Sequence, residues 1–431
     1  MLGLGNVGQG VVRILAENGA AIRDRIAANL VMKRVLVRDL DKAREYGVGA
    51  ELLTTDPAQV LQDPDIRVVV ELIGGIEPAR SHVLAALEAG KHVVTANKAL
   101  LAEHGEELFA AAAERGLDIY FEGSVAGGIP VLRALREGLA SDRIDRVVGI
   151  VNGTSNYILD AMGRTGASYD EALAAAQAAG FAEADPTLDV GGGDAAHKLA
   201  LLALVSVGVR VDPKRIHTEG ITRMRPFDIR MAAELGYVIK SLAIGEFEHG
   251  EGEAPRVRVR VHPTFVPRDH VLAGVNGSYN AVAVSSRALG ESMYYGRGAG
   301  MLPTGVAVVS DIIELGRDIV GFVEGGPPPG AFRDIRPVEP ASLDAIECEN
   351  YLCAHVPNVP GVLGQVASCL GRHGVSIKRM NQDTPGEGEP IDMVIMTERT
   401  SEQRVQAALA ELDAHEHCLT PTHRFRILEG S

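Results

Sequence analysis

The sequence predicts an α/β fold: a doubly wound parallel sheet, then an α+β domain, then a small β-α-β-β-α-β unit. Three observations carry this. The first third alternates short β-branched runs with Ala-rich helical stretches, the pattern of parallel strands joined by crossover helices. A G-x-G-x-x-G opens the chain at the mouth of a helix, and a Pro/Gly-rich break precedes residues 349–431, which read strand, turn, helix, strand, strand, helix, strand. A length of 431 residues suits two or three such domains, bounded at 1–128, 129–320 and 349–431, with a linker over 321–348.

Gly3-Leu4-Gly5-Asn6-Val7-Gly8 is the fingerprint, placed where bare backbone approaches a pyrophosphate at the positive end of a helix over 8–28. This marks the sheet as Rossmann-type. Strands are predicted at 34–38, 67–73, 92–95 and 118–121, with helices at 78–89 and 99–115 between them. Only Met1 and Leu2 precede the fingerprint, whereas a first strand normally supplies several buried residues. Either the true start lies upstream or this strand is a stub, and about five added apolar residues, a usual strand length, should raise the melting temperature. The second strand ends at Arg38 and Asp39, the ribose-recognition position. An acid there suits a free 2′-hydroxyl and an arginine a 2′-phosphate; with Arg38 first, NADP(H) is favoured and NAD(H) remains open.

From 129 the pattern turns mixed, with helices at 129–139, 168–179 and 194–208 and strands RVRVRVH (256–262) and NAVAVSS (280–286), the latter alternating with period two. Gly191, Gly192 and Gly193 end an acidic loop, and Asp194 stands where an N-cap belongs before the apolar run Leu199 to Leu204. Asp194 and Lys198 then share a helix face, with Glu183 and Asp189 in the loop leading in. As an isolated surface pair they would be worth only about 0.3–0.5 kcal/mol. Three acids around one ammonium, in a chain that opens with a nucleotide fingerprint, point instead to chemistry. His197 lies about 100° round the helix from Lys198, which suits packing rather than catalysis. Residues 296–319 read as a Gly-rich loop opening into an apolar helix, after which GGPPPG (325–330) and RPVEP (336–340) break the chain.

Composition narrows the function classes. A net charge of −15 without clustered basic residues argues against nucleic acid or an anionic membrane as partner. Four cysteines, all in the last fifth, match neither a zinc spacing nor a disulfide scaffold, so a reduced, cytoplasmic setting is expected. No signal peptide or apolar run of about 18 residues is present.

Taken in order, GLGNVGQG, TANK (95–98), EGSVAGGIP (122–130), NGTSNYIL (152–159), EADPTLDVGGGDAAHKLALLA (183–203) and GRGAGMLPTG (296–305) resemble the homoserine dehydrogenase family, in its long form with a C-terminal, ferredoxin-like ACT domain. The resemblance covers nearly the whole chain. It implies interconversion of L-homoserine and L-aspartate 4-semialdehyde with a nicotinamide cofactor, in the branch leading to threonine and methionine. It makes 1–128 the cofactor domain, 129–320 the substrate and dimerisation domain, whose last helix packs back on the first, and 349–431 the regulatory domain.

Carried over residue by residue, the resemblance implies Lys198 as acid/base with Lys98 as a second cation, and Glu183, Asp189 and Asp194 around the substrate, Asp194 also serving catalysis. The chemistry agrees: an aldehyde accepting hydride develops negative charge on oxygen, which an ammonium stabilises and protonates. Acids are natural partners for the substrate's α-ammonium. Gly3, Gly5, Asn6, Val7, Gly8, Arg38, Gly74, Gly75, Thr95, Asn97, Lys98, Gly180 and Gly300 fall at cofactor positions. Glu122, Val125, Gly127 and Ile129 fall on the family's monovalent-cation loop, for Na⁺ or K⁺. Gly191 departs from the family, where a polar or acidic residue is common. Asn358, Gly361, Val362 and Leu363 fall at the ACT effector turn, with threonine the implied effector and a homodimer or homotetramer the implied assembly. The rival reading is a non-catalytic protein that senses nucleotide and amino acid; retention of Lys98, Lys198 and the acids weighs against it.

Overall fold

The computed structural model describes residues 1–250, 255–321, 336–382 and 389–428. Its first layer is a parallel sheet. Strands Leu53–Thr54 and Val35–Leu36 pair, as do Val68–Glu71, His92–Thr95 and Ile119–Tyr120, and Leu2 bridges Leu36 on one side and Glu71 on the other. Leu2 thus takes the central position, giving the doubly wound order with strand crossing on both sides of the first strand. That strand is reduced to one fully buried residue, held by Leu2 N donating to the Val70 carbonyl at 2.7 Å and Leu72 N donating to the Leu2 carbonyl at 2.8 Å.

The fingerprint helix, Asn6–Ile26, packs against the late helix Met301–Gly321 through Val11, Ile14, Ile22 and Ile26 facing Val308, Val309, Ile312 and Leu315. Two glycines let the backbones approach. A Cβ on Gly10 would stand 2.1 Å from the Met301 carbonyl oxygen, and one on Gly305 would stand 3.0 Å from the Gly10 backbone.

The second sheet is larger than the sequence pattern suggested. Strands Gly290–Arg297, Tyr279–Ser286, Ile144–Ile150, Tyr237–Glu248 and Arg256–Pro267 run in that order, and helix Gly193–Val207 packs across one face with Leu199 against Ala243, Val259 and Val261 in a shared core. The C-terminal unit has the strand order Thr420–Ile427, Asn350–Pro357, Pro390–Thr397, Ile377–Gln382, with helices Val362–Arg372 and Glu402–Asp413 on it. It is not a separate bead. Thr264 and Phe265 pair in parallel with Arg426 and Ile427, so both sheets form one continuous surface.

The expected linker, 321–348, is ordered in part. Residues 322–335, including GGPPPG, lie outside the described residues. The rest of 336–348 is not loose: Arg336–Pro337 pairs with Val209–Arg210, Ala341 N donates to the Val257 carbonyl at 2.9 Å, and Glu347–Cys348 pairs with Ser401 and Thr400. Proline at a strand edge is compatible with this, since an edge strand leaves one hydrogen-bonding side unused.

Candidate active site

The lysine helix starts one residue earlier than expected, and for a physical reason. Gly192 is the cap, at φ +87°, where a Cβ would also stand 2.6 Å from Thr218 Cγ2. Glycine alone enters that conformation without strain. Asp194 therefore sits inside the first turn rather than capping it, and its carboxylate turns inward. There Oδ2 accepts from Lys198 Nζ at 2.7 Å and from Asn152 Nδ2 at 2.8 Å, while Oδ1 lies 3.1 Å from Lys98 Nζ. Asp194 is 4% exposed. Burial alone would raise its pKa, but the two ammoniums and their hydrogen bonds hold it well below the usual carboxylate range.

Lys198 Nζ also donates to the Val151 carbonyl at 2.6 Å. An ammonium has three donors. Two are committed to Val151 and Asp194, leaving one directed elsewhere. Lys98 opens helix Lys98–Ala113 at the carboxyl edge of the first sheet, so a residue of the nucleotide domain and one of the second domain meet on a single carboxylate. His197 faces Glu103 at 3.9 Å, away from this cluster.

Asn152 was not singled out by sequence reasoning, although it stands in NGTSNYIL. It ends the strand Ile144–Ile150, caps helix Gly153–Thr165 by accepting from Ser155 N at 2.8 Å, and donates through one amide nitrogen to Asp194 and to Asp189 at 2.7 Å. Asp189 is otherwise lightly held, with Thr154 Oγ1 at 3.5 Å. Burial, then the charge of Asp194, raises its pKa. Glu183 lies exposed on the approach loop, outside the hydrogen-bonded cluster, and Gly180 ends the preceding helix at φ +74° on the same loop. The available cue for Asn152 was an asparagine at a strand-to-helix junction, a capping position.

At the nucleotide end, Gly3 (φ +98°) and Gly8 are close approaches, a Cβ meeting the Leu72 carbonyl oxygen at 2.7 Å and the Gly3 carbonyl oxygen at 2.6 Å respectively. Gly5 has open space where its Cβ would be, and the helix it precedes has no side-chain cap over Asn6, Val7 and Gly8. This is a cradle for an anion. Gly74 and Gly75, at φ +79° and +73°, also border open space. The turn that holds them is tied by a second unpredicted residue: fully buried Glu71 accepts from Thr95 Oγ1 at 2.6 Å and from Ile73 N at 2.7 Å, and Asn97 Nδ2 donates to the Gly75 carbonyl at 2.6 Å. Gly300, at φ +128°, precedes the late helix. Arg38 is exposed, whereas Asp39 Oδ1 is turned onto Asp41 N at 2.9 Å.

The proposed cation loop holds Glu122 buried, its oxygens accepting from Leu132 N at 2.9 Å and Arg133 N at 2.7 Å, so the carboxylate caps a helical turn. Burial pushes Glu122 up to about 7, and Asp311, whose Oδ2 accepts from Glu122 N at 2.9 Å, is pushed well above its usual range by burial and then by Glu122. Ala126 and Gly127 both turn left-handed, at φ +53° and +55°, between Val125 and Ile129. Two buried acids beside a carbonyl-rich turn form a hard-oxygen donor set that fits a cation. In the C-terminal unit, Gly361 caps its helix at φ +96°, Asn358 is half-buried within 3.5 Å of Gln382, Val362 is buried and Leu363 exposed. Among the described residues no helix is long and apolar enough to cross a membrane.

Comparison with known proteins matches this organisation. The homoserine dehydrogenase family profile covers residues 130–313, its NAD-binding domain profile residues 3–122, and the ACT domain profile residues 352–417. The chain is 42% identical to the homoserine dehydrogenase of Pseudomonas aeruginosa across 99% of its length and 97% of that protein, and 41% identical to that of Bacillus subtilis across 96% and 94%. A crystal structure of a homoserine dehydrogenase from Thiobacillus denitrificans superposes with a TM-score of 0.91 at 41% identity, covering 99% of this chain and 97% of that one. A hyperthermophilic archaeal homoserine dehydrogenase in complex with NADPH superposes at 0.61 with 26% identity, over 75% of this chain and 97% of that one.

Proposed function

The chain belongs to the homoserine dehydrogenase family, and from that premise we propose how its own residues divide the work. The reaction is the nicotinamide-dependent interconversion of L-homoserine and L-aspartate 4-semialdehyde, and the bound nicotinamide supplies or accepts the hydride. One observation carries the assignment of the acid/base: Lys198 Nζ has two donors fixed on the Val151 carbonyl and Asp194, and a third left for the substrate oxygen. In reduction, Lys198 stabilises the developing alkoxide and protonates it; in oxidation it takes the hydroxyl proton. Lys98 adds positive charge from the cofactor side.

Asp194 accepts from Lys198 and Asn152 and pairs with Lys98, so its part is to hold the two ammoniums in place. Asp189 retains acceptor capacity and Glu183 is free on its loop, which supports them as partners of the substrate's α-ammonium once the loop closes over it. Glu122 with the carbonyls of Val125, Gly127 and Ile129 would hold a monovalent cation, neutralising the buried Glu122–Asp311 pair and keeping the loop beside the late helix in shape. The ACT turn at Asn358, Gly361, Val362 and Leu363 takes an amino-acid effector, threonine in this reading. The outer strands Gly290–Arg297 and Ile377–Gln382 end the continuous sheet, and exposed Met293 and Tyr295 on the first support assembly into a homo-oligomer. A cytoplasmic setting fits the reduced cysteines.

NADP(H) is the preferred cofactor, because Arg38 is exposed at the ribose position while Asp39 is engaged in its own turn. Steady-state homoserine oxidation with NADP⁺ and NAD⁺, with and without threonine, tests these points together. R38A should raise KM for NADP⁺ about tenfold or more while changing NAD⁺ little, the loss of a charge-assisted phosphate contact. Equal effects on both cofactors would take Arg38 away from the 2′-phosphate.

A further inference from the structure

The two helices of the C-terminal domain bring together a set of metal-ligating side chains that neither the catalytic site nor the effector turn uses. Cys369 lies on helix Val362–Arg372, and His373, the residue that ends it, follows one turn later on the same face. Glu411 comes from helix Glu402–Asp413. The candidate ligand atoms of Cys369, His373 and Glu411 all lie within 4.8 Å of one another, the sole such group among the described residues. His373 Nε2 is 2.7 Å from Glu411 Oε2, and the Cys369 sulfur is buried, with the Ala408 carbonyl at 3.5 Å.

We propose that Cys369 Sγ, His373 Nε2 and Glu411 Oε2 form a binding site for a divalent transition metal of the zinc class. One thiolate, one imidazole and one carboxylate are a borderline-soft donor set, which suits Zn²⁺ or Co²⁺ and disfavours Mg²⁺ or Ca²⁺. Tetrahedral metal–donor lengths of about 2.0–2.3 Å put donors about 3.3–3.8 Å apart, so side-chain rotation of about 1 Å from the present arrangement closes the site. The Arg372 guanidinium sits on Glu411 Oε1 and competes for its charge, but leaves Oε2 to the metal. Binding replaces the His373–Glu411 hydrogen bond and releases the Cys369 thiol proton.

A cavity of about 460 Å³ beside the site is lined by Cys369, Arg372 and Glu411 and also by His415, His417 and Cys418. Gly361 and Val362 of the effector turn line the same cavity from the N-terminal end of helix Val362–Arg372, so a metal at Cys369 and His373 would clamp the two helices at the end far from that turn. The site stands without the effector assignment, since its ligands are not those of the turn.

Co²⁺ is the probe, titrated into chelator-treated full-length protein. The expected result is one cobalt per chain, a thiolate-to-cobalt charge-transfer band in the near ultraviolet, and displacement by Zn²⁺. C369S should lose that band, and H373A should weaken binding about tenfold or more, with basal homoserine oxidation and melting temperature of the metal-free protein unchanged. Because His373 is partly exposed, H373A keeps the test open even if C369S folds poorly. Absence of the band in the wild-type protein, or binding that persists undiminished in H373A, overturns the site and leaves the group as a plain ion-pair cluster.

Discussion

A single carboxylate, Asp194, determines where both lysines stand. Its two oxygens accept from residues of different domains, so removing its charge should displace Lys198 and Lys98 together rather than one contact alone. K198A should lower turnover about two to four powers of ten, the usual weight of a general acid/base, with little change in cofactor binding. Presteady-state and steady-state rates of homoserine oxidation measure this, and a near wild-type rate would remove Lys198 from its role. D194N should lower turnover by a comparable amount while leaving the fold intact, because Asn152 still has a partner there. At this scale the sequence was legible for residues that spacing or a motif sets apart and opaque for those to which only a long-range partner gives a role. Lys198, Asp194 and Lys98 stood out because ionisable residues at helical spacing or after a strand are rare enough to notice. Asn152 and Glu71 did not: a capping amide and a strand-end acid look ordinary until the chain folds and their long-range partners come within reach.

Elements bounded by turn signals or carrying a clear helical period were found, the buried strand His92–Thr95 among them, and several elements without such signals were not. The helices 168–179 and 194–208 emerged within a residue or two, and a capping box at Ser168 and Glu171 opens the first of them. Strands Ile144–Ile150 and Tyr237–Glu248 were missed because central strands covered on both faces lose the in-out alternation that marks a strand from sequence. The resemblance implied that the last helix, Met301–Gly321, packs back on the first domain; how closely it crosses Asn6–Ile26 was hidden, because two glycines about 300 positions apart carry no pairwise signal. Their structural meaning is testable. G10A drives a Cβ against the Met301 carbonyl oxygen, and backbone offers no side-chain rotation as relief. Overpacking of this kind costs about 1–3 kcal/mol. Urea unfolding should show that loss together with weaker cofactor binding, because the same helix carries the fingerprint glycines at its N-terminus. An unchanged midpoint would mean the helices already stand further apart than 2.1 Å implies.

The regulatory unit and the catalytic sheet share one hydrogen-bonded surface, and the join is electrostatic as well as apolar. Phe265 stacks on Phe425 at 5.3 Å between ring centroids and tilts against Tyr351 at 4.7 Å. Beside them Glu402, 4% exposed, receives Arg424 and Arg426, and Arg426 reaches across to Glu219. Cutting the chain near 341 would therefore strip a strand from Arg256–Pro267 and uncover Phe265, so any change of regulation in such a truncation would be mixed with damage to the catalytic sheet. A point change at the seam is the cleaner probe. Burial by itself would raise the Glu402 pKa, yet the two guanidiniums hold it well below the usual carboxylate range. A carboxylate depressed in the folded state contributes stability that is complete above its unfolded pKa, about 4.3, and is lost as pH falls toward the folded value. E402Q leaves two buried guanidiniums short of a counter-charge, which should cost about 3–5 kcal/mol at neutral pH. The same substitution should flatten the acid limb, since the variant has no proton to take up there. Melting temperature followed from pH 7 downward separates the outcomes: the wild-type protein should lose more between about pH 4.3 and 3 than E402Q does. Parallel acid limbs would place the sensitivity elsewhere, in Glu219 or Asp228, the other acids at this join, which a histidine hydrogen bond and then an arginine hold low against their burial.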